Sequence, residues 1–232
     1  MRVIWWAIIA IIKLGVELVP DWAEERRRMV ETQLRRRGIR DQRVLAAMLQ
    51  VPREQFVSPE TRLLAYSDEP LQIGFGQTIS QPYMTALMAQ ELGLNGSESV
   101  LEVGAGSGYA AALLGVLAAR VITVEIIPGL AALAERNLLR TGRAGNIRVI
   151  AGDGSWGFAA GAPYDAISVA AGAPDIPLAL VEQLNDPGTL VIPVGDFKDQ
   201  ELRVLRKRGG QVEQSVATLC RFVPLRGGEG WH

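Results

Sequence analysis

The stretch Leu101-Glu-Val-Gly-Ala-Gly-Ser-Gly-Tyr109 constrains this chain more than any other. A short apolar run, Ser99 to Val103, leads into a turn with glycine at alternate positions, Gly104, Gly106 and Gly108, and then into a helical pattern. Glycines there let the backbone turn sharply and approach a ligand with no Cβ in the way. A helix opening just after such a turn presents free N–H groups to an anionic or polar ligand. Glu125 closes the next apolar run, Val121 to Val124. It lies about 20 residues on, where a doubly wound nucleotide fold carries the carboxylate that binds ribose hydroxyls. The ligand implied has an adenosine-like end.

In the dinucleotide form of this turn the third glycine comes three positions after the second. Tyr109 stands at that position here. No Gly-Lys-Ser/Thr follows, which excludes a P-loop. Glu102, at the strand end just before the turn, offers a carboxylate that suits an amine and repels a pyrophosphate. S-Adenosyl-L-methionine has such an amine and no phosphate. The expected cofactor-binding residues are therefore Glu102, Val103, Gly104, Ala105, Gly106, Ser107, Gly108 and Glu125, with S-adenosyl-L-homocysteine as product. Asp153, in Ala151-Gly-Asp-Gly154, follows a third strand and is expected, with Gly154, at the adenine amino group. The plainer alternative is a turn former, since Asp and Gly are common turn residues.

The rest of the chain bounds the chemistry. With 232 residues it can hold one full α/β domain with a substantial core. A net charge of −1 argues against a general nucleic-acid binder. The one cysteine, Cys220, excludes an intramolecular disulfide framework and fits a reducing, cytoplasmic compartment. The only histidine is His232, so a His-based triad and a His-rich metal site are excluded, and no metal is expected. Val3 to Ile12 is wholly apolar between Arg2 and Lys13. It is short of the roughly 20 apolar residues of a spanning helix. Three readings stay open for residues 1–20: a docking or interfacial helix with membrane contact through 3–19, an uncleaved anchor or export signal, or an extension of little consequence.

The patterning predicts a helix over 21–37 stopped by Gly38, a second helix capped by Asp41, and a loop-rich segment over 57–82. The arginine runs 26–28 and 35–37 read as a solvated face offset by Glu24, Glu25 and Glu31. A helix follows over 82–92. From Ser99 onward strands and helices alternate, as in a parallel sheet covered on both faces. Gly209-Gly210 marks a terminal hairpin. The expected fold is α/β: a doubly wound, mostly parallel, Rossmann-like sheet with antiparallel strands at its C-terminal end. It forms one domain, 21–232, with N-terminal helices and substrate loop over 21–95 and the cofactor core over 96–232.

Residues 24 to 225 resemble the protein-L-isoaspartate O-methyltransferase family. The segments that carry the likeness are Met29-Val-Glu-Thr-Gln-Leu34, Gly38-Ile-Arg-Asp41, Val51-Pro-Arg-Glu-Gln-Phe-Val57, Ala65-Tyr66, Gly74-Phe-Gly-Gln-Thr-Ile-Ser-Gln-Pro-Tyr83, Leu101 to Tyr109, Pro163-Tyr-Asp-Ala-Ile167, Leu190-Val-Ile-Pro-Val-Gly195 and Arg221-Phe-Val-Pro-Leu225. The resemblance implies methyl transfer to the α-carboxyl of L-isoaspartyl residues in damaged proteins and peptides; a monomer is expected. It implies Ser80 as the active-site residue, with Gln77, Thr78 and Ile79 beside it on the substrate side. Thr78 and Ser80 alternate with Ile79, so both hydroxyls can face one way. Their plainer role is to satisfy loop backbone. A carboxylate of pKa ~4 is already ionised at pH 7 and needs no general base, so the missing histidine is no obstacle. Where the family has Thr after the strand matching Ala166 to Val169, this chain has Ala170. Two rivals remain at this level: a methyltransferase with another acceptor, and a catalytically silent binding protein.

Overall fold

The structure, a computed structural model, describes residues 20–231. The apolar stretch 3–12 and its flanks lie outside the described residues.

Asp21 opens the first helix, α1 (Trp22–Met29), by accepting from the N–H groups of Ala23 and Glu24. The chain continues as a π turn (Val30–Leu34) and a 3-10 turn (Arg35–Arg37), and closes at Gly38 with φ 97°. Asp41 caps α2 (Gln42–Gln50) through the N–H groups of Arg43 and Val44. The arginine runs divide. Arg27, Arg28 and Arg35 pair along the helix with Glu24, Glu25 and Glu31 as expected. Arg26 instead turns inward to Tyr66 and Glu54, and Arg37 pairs with Asp68 and lies over the Tyr83 ring.

The segment 57–82 is more ordered than its sequence suggests. It holds a 3-10 turn (Pro59–Leu64) and an antiparallel hairpin, β1 (Leu71–Gly74) with β2 (Gln77–Ile79). Strands of four and three residues are too short for alternation to register. The hairpin tip puts Phe75 at φ 55°, an uncommon conformation for a residue with a side chain.

Helix α3 (Pro82–Leu92) leads into the main sheet. Its elements are β3 (Ser99–Val103), α4 (Tyr109–Leu117), β4 (Arg120–Glu125), α5 (Pro128–Arg140), β5 (Ile147–Ala151), β6 (Tyr164–Val169), α6 (Leu178–Glu182), β7 (Leu184–Gly195), β8 (Gln200–Arg208) and β9 (Gln211–Cys220). The strand order is β5-β4-β3-β6-β7-β8-β9, parallel through β7 and antiparallel beyond it. Both central residues of the β8–β9 turn, Gly209 and Gly210, have positive φ, which matches the twist of a tight hairpin. The order reverses between β3 and β6, and that switch point is where doubly wound sheets bind ligands.

The sheet separates two apolar layers. Val100, Val121, Ala166 and Val191 face the layer of α2, α3 and α4. Leu101, Val103, Ile167 and Leu190 face the layer that holds Leu180 of α6. This alternation along β3 places Glu102 on the Val100 side.

Losing a helix cap leaves backbone N–H groups without a partner and typically costs about 1 kcal/mol. Asp41→Ala is therefore expected to lower stability by roughly that amount, measured as a shift in the urea midpoint at unchanged slope.

Candidate active site

The C-terminal ends of β3, β4 and β6 open onto one cleft of about 800 Å³, counted with the solvent at its mouth. Its floor is the glycine turn. The Gly104 N–H donates to the Val124 carbonyl at 2.8 Å, and the Ala170 N–H donates to the Val103 carbonyl at 2.8 Å. The turn is thus stitched to both neighbouring strands. Gly108, at φ 87°, ends the turn and caps α4. A Cβ there would meet the Ala134 backbone of α5 at 3.2 Å, so both conformation and space call for glycine.

Glu125 sits in the cleft wall, 5% exposed. One carboxylate oxygen accepts from the Gly106 N–H at 2.9 Å and the other from the Ile127 N–H at 3.0 Å. A carboxylate has further lone pairs, which leaves capacity for a diol. Val103, Gly104, Ala105, Gly106, Ser107 and Gly154 line the same cleft. Val124, Ile126, Ile127 and Leu130 give one side an apolar surface suited to a flat ring. The cleft fits an adenosine-containing ligand.

Three residues expected at the cofactor stand off the cleft wall: Gly108, which ends the turn, Glu102 and Asp153. Glu102 is fully buried beneath the turn and is not on the cleft wall. It accepts from the Thr123 hydroxyl at 2.5 Å, and its other oxygen has no partner. Strand alternation aims it under the sheet, so direct contact with a ligand amine is not available to it. Burial pushes its pKa up to about 8, the Thr123 bond pulls it down, and the charge of Glu125 raises it. Asp153 also lies off the cleft wall. One of its oxygens accepts from the N–H and hydroxyl of Ser155, and the other from the Gly228 N–H at 2.9 Å. Those bonds hold its carboxyl below the usual range despite partial burial. It is here a turn former that also clasps the C-terminal segment.

The β1–β2 hairpin forms the opposite wall. Gln77, Thr78, Ile79 and Ser80 all line the cleft. Ile79 is buried, while Thr78 and Ser80 are half-buried. Thr78 and Ser80 also line a second cavity with Arg37, Tyr83, Met84, Cys220, Arg221 and Phe222. Its wall shares Thr78, Ser80, Ala170 and Val223 with the first. Gln81 bonds the Asp68 carbonyl, but neither the Thr78 nor the Ser80 hydroxyl makes a hydrogen bond among the described residues. The plainer role of satisfying loop backbone has no hydrogen bond behind it among the described residues.

A family model for protein-L-isoaspartate(D-aspartate) O-methyltransferase matches residues 24–230. The chain belongs to this family. A protein-L-isoaspartate O-methyltransferase of Herpetosiphon aurantiacus is 50% identical over 90% of this chain and 93% of its own length. One of Koribacter versatilis is 52% identical over 90% and 94%. Among solved structures, a protein-L-isoaspartate O-methyltransferase described from Plasmodium falciparum, in complex with S-adenosyl-L-homocysteine, superposes with a TM-score of 0.75 at 27% identity. The match covers 90% of this chain and 99% of that one.

Part of the enzyme's cleft was not foreseen from sequence. Val223, Pro224, Leu225 and Arg226 close one side of it. The Leu225 N–H donates to the Gly172 carbonyl at 2.8 Å, and Trp231 bonds back to Leu225 and Gly172. The family-like segment Arg221 to Leu225 was the available signal. Ala170 lines the cleft with its methyl.

Glu102 gives a pH test. In the unfolded chain it ionises near 4.5, whereas folded it holds its proton up to about 8. Between those values the folded state binds more protons, so this group's contribution to stability falls as pH rises through that window. Glu102→Gln mimics the protonated form. Its urea midpoint is expected to gain on that of the unsubstituted enzyme as pH goes from ~5 to ~8, and a constant difference would refute the buried acid.

Proposed function

We propose that the hydroxyls of Thr78 and Ser80 hold the acceptor carboxylate, Ser80 being the catalytic residue, while Glu125 and the turn Gly104–Gly108 hold the methyl donor. The enzyme is an S-adenosyl-L-methionine-dependent methyltransferase that acts on isoaspartyl residues of proteins and peptides. The single observation that carries the assignment is that two uncommitted hydroxyls stand on the strip of wall shared by two cavities. One cavity has the glycine turn and Glu125; the other opens past Arg37, Tyr83 and Phe222 toward solvent and can admit a chain segment.

S-Adenosyl-L-methionine, when bound, supplies a methyl on a sulfonium. The chain's own residues do the rest by placement. Ser80 and Thr78 orient the acceptor with neutral donors, since a cation bonded to it would stabilise the ground state and blunt the carboxylate. Glu125 is pre-set by its two N–H partners to receive ribose hydroxyls. Asp153 retains lone pairs beyond its structural bonds, so an adenine contact is proposed through it or the adjoining Gly154. Holding the reacting atoms in line at roughly 3–3.5 Å, with water excluded, accounts for most of the rate such a reaction requires.

We further infer a single domain over 21–232, with 21–95 serving the acceptor side and 96–232 the donor side, acting as a cytoplasmic monomer without nucleic acid. Among the described residues no helix is long and apolar enough to cross a membrane.

The decisive assay compares an isoaspartyl peptide with its aspartyl twin, using labelled S-adenosyl-L-methionine. Methyl transfer to the isoaspartyl form alone is expected; equal transfer to both, or none to either, would overturn the acceptor. Ser80→Ala removes one hydrogen bond to a charged group, ~1.5–3 kcal/mol. It should therefore cut kcat/KM by roughly 10- to 100-fold, with calorimetric affinity for S-adenosyl-L-homocysteine nearly unchanged.

A further inference from the structure

Arg53 lies in the family-like segment Val51 to Val57 and lines neither cavity, but sits directly behind their walls. It is the largest fully buried side chain among the described residues, 0% exposed. Its Nε donates to the Ala65 carbonyl at 2.7 Å. One terminal nitrogen donates to the Ser80 carbonyl at 2.8 Å, and the other has no partner. Its guanidinium carbon lies 4.9 Å from the centre of the Tyr109 ring. No carboxylate bonds it: the neighbouring Glu54 is taken by Tyr66 and Arg26.

A buried cation without a bonded carboxylate is a poor way to stabilise a fold, and an apolar side chain of similar size would serve better. What the guanidinium offers is a rigid planar fork that fixes several groups at once. The two groups it joins belong to opposite sides of the reaction. Holding the Ser80 carbonyl fixes the stretch of backbone from which the Ser80 hydroxyl projects. Tyr109 is the first residue of α4, directly after the glycine turn, and lines the donor cleft. The ring itself is fixed, edge-on to Phe56 at 5.7 Å and with its hydroxyl at Met48.

We propose that Arg53 is a positioning residue that registers the acceptor hydroxyl of Ser80 against the donor-binding turn. The proposal rests on the assignment of Ser80 above. Arg53 touches neither substrate, so it acts on turnover through alignment and leaves ground-state binding of each partner largely alone. Lysine can reach one carbonyl but cannot fork between two or stack its charge as a plane.

The test measures kcat and KM for an isoaspartyl peptide, calorimetric affinity for S-adenosyl-L-homocysteine, and far-ultraviolet circular dichroism, in Arg53→Gln, Arg53→Lys and Ser80→Ala. Arg53→Gln is expected to lower kcat about 10-fold or more, with peptide KM and product affinity changed by no more than about 3-fold. Arg53→Lys should recover part of that loss. In the double variant Arg53→Gln/Ser80→Ala the losses should be less than multiplicative, because both act on one alignment. An unchanged kcat in Arg53→Gln beside an impaired Ser80→Ala overturns the role of Arg53 alone. Full activity in Ser80→Ala overturns the assignment of Ser80 and this proposal with it. Parallel loss of kcat, product affinity and helical signal in both Arg53 variants marks Arg53 as merely structural and also overturns it.

Discussion

The hydrogen bond from the Gly106 N–H to the Glu125 carboxylate, 2.9 Å long, joins the turn after β3 to the end of β4. Everything on the donor side depends on it. The two strands are parallel neighbours, so their carboxyl ends meet at one edge of the sheet. The bond closes the remaining gap between a flexible turn and a rigid strand. It also fixes a charged group beside a backbone that has no Cβ to hold a ligand off. The Gly104 and Ala170 backbone bonds repeat the same logic across β3, β4 and β6. What results is a wall whose polar groups are already held in place by bonds within the protein.

The acceptor side is built from different material. No sheet edge holds Ser80; a short hairpin does, braced from behind by helices that precede it in the chain. Arg26 reaches Tyr66, Gln33 bonds the Tyr66 carbonyl, Arg37 pairs with Asp68, and Arg53 joins Ala65 to Ser80. Arginines that look like surface charge in one dimension thus include several that brace a loop in three. The hairpin's tip rests on the other half of the cleft, with the Phe75 ring so close to Gly129 that a Cβ there would come within 2.4 Å of it. These contacts add to the apolar layer that α2 and α3 share with α4 and the sheet, so the two halves of the enzyme form one body.

Periodicity and glycine placement made the main sheet legible, because β3, β4 and the helices α3 and α5 are long enough for a pattern to repeat. The hairpin was not legible, since seven strand residues and a strained phenylalanine leave no period to read. Spacing along the sequence put Glu125 and the glycine turn together, and the structure brings Glu125 and residues 104–107 to one cleft. Glu102 misled because a motif locates a residue along the strand but not on which face its side chain emerges. For Asp153 the sequence left a turn former and an adenine contact open, and its bond to Gly228 was out of reach of local reading because that partner is distant in sequence. The Val223–Arg226 wall is long-range for the same reason: its place depends on bonds to Gly172 that no local pattern encodes.

The cleft draws its walls from Gln77 at one extreme and Arg226 at the other, with the glycine turn between them. In a chain that emerges from the ribosome in order, the turn and its Glu125 are made well before the segment that completes the enclosure. Enclosure arrives when Leu225 pairs with Gly172 and Gly228 reaches Asp153. Enclosure of the cleft is thereby set by a stretch of chain that follows every strand of the sheet, and the motif and the wall that closes over it are specified by different parts of the sequence.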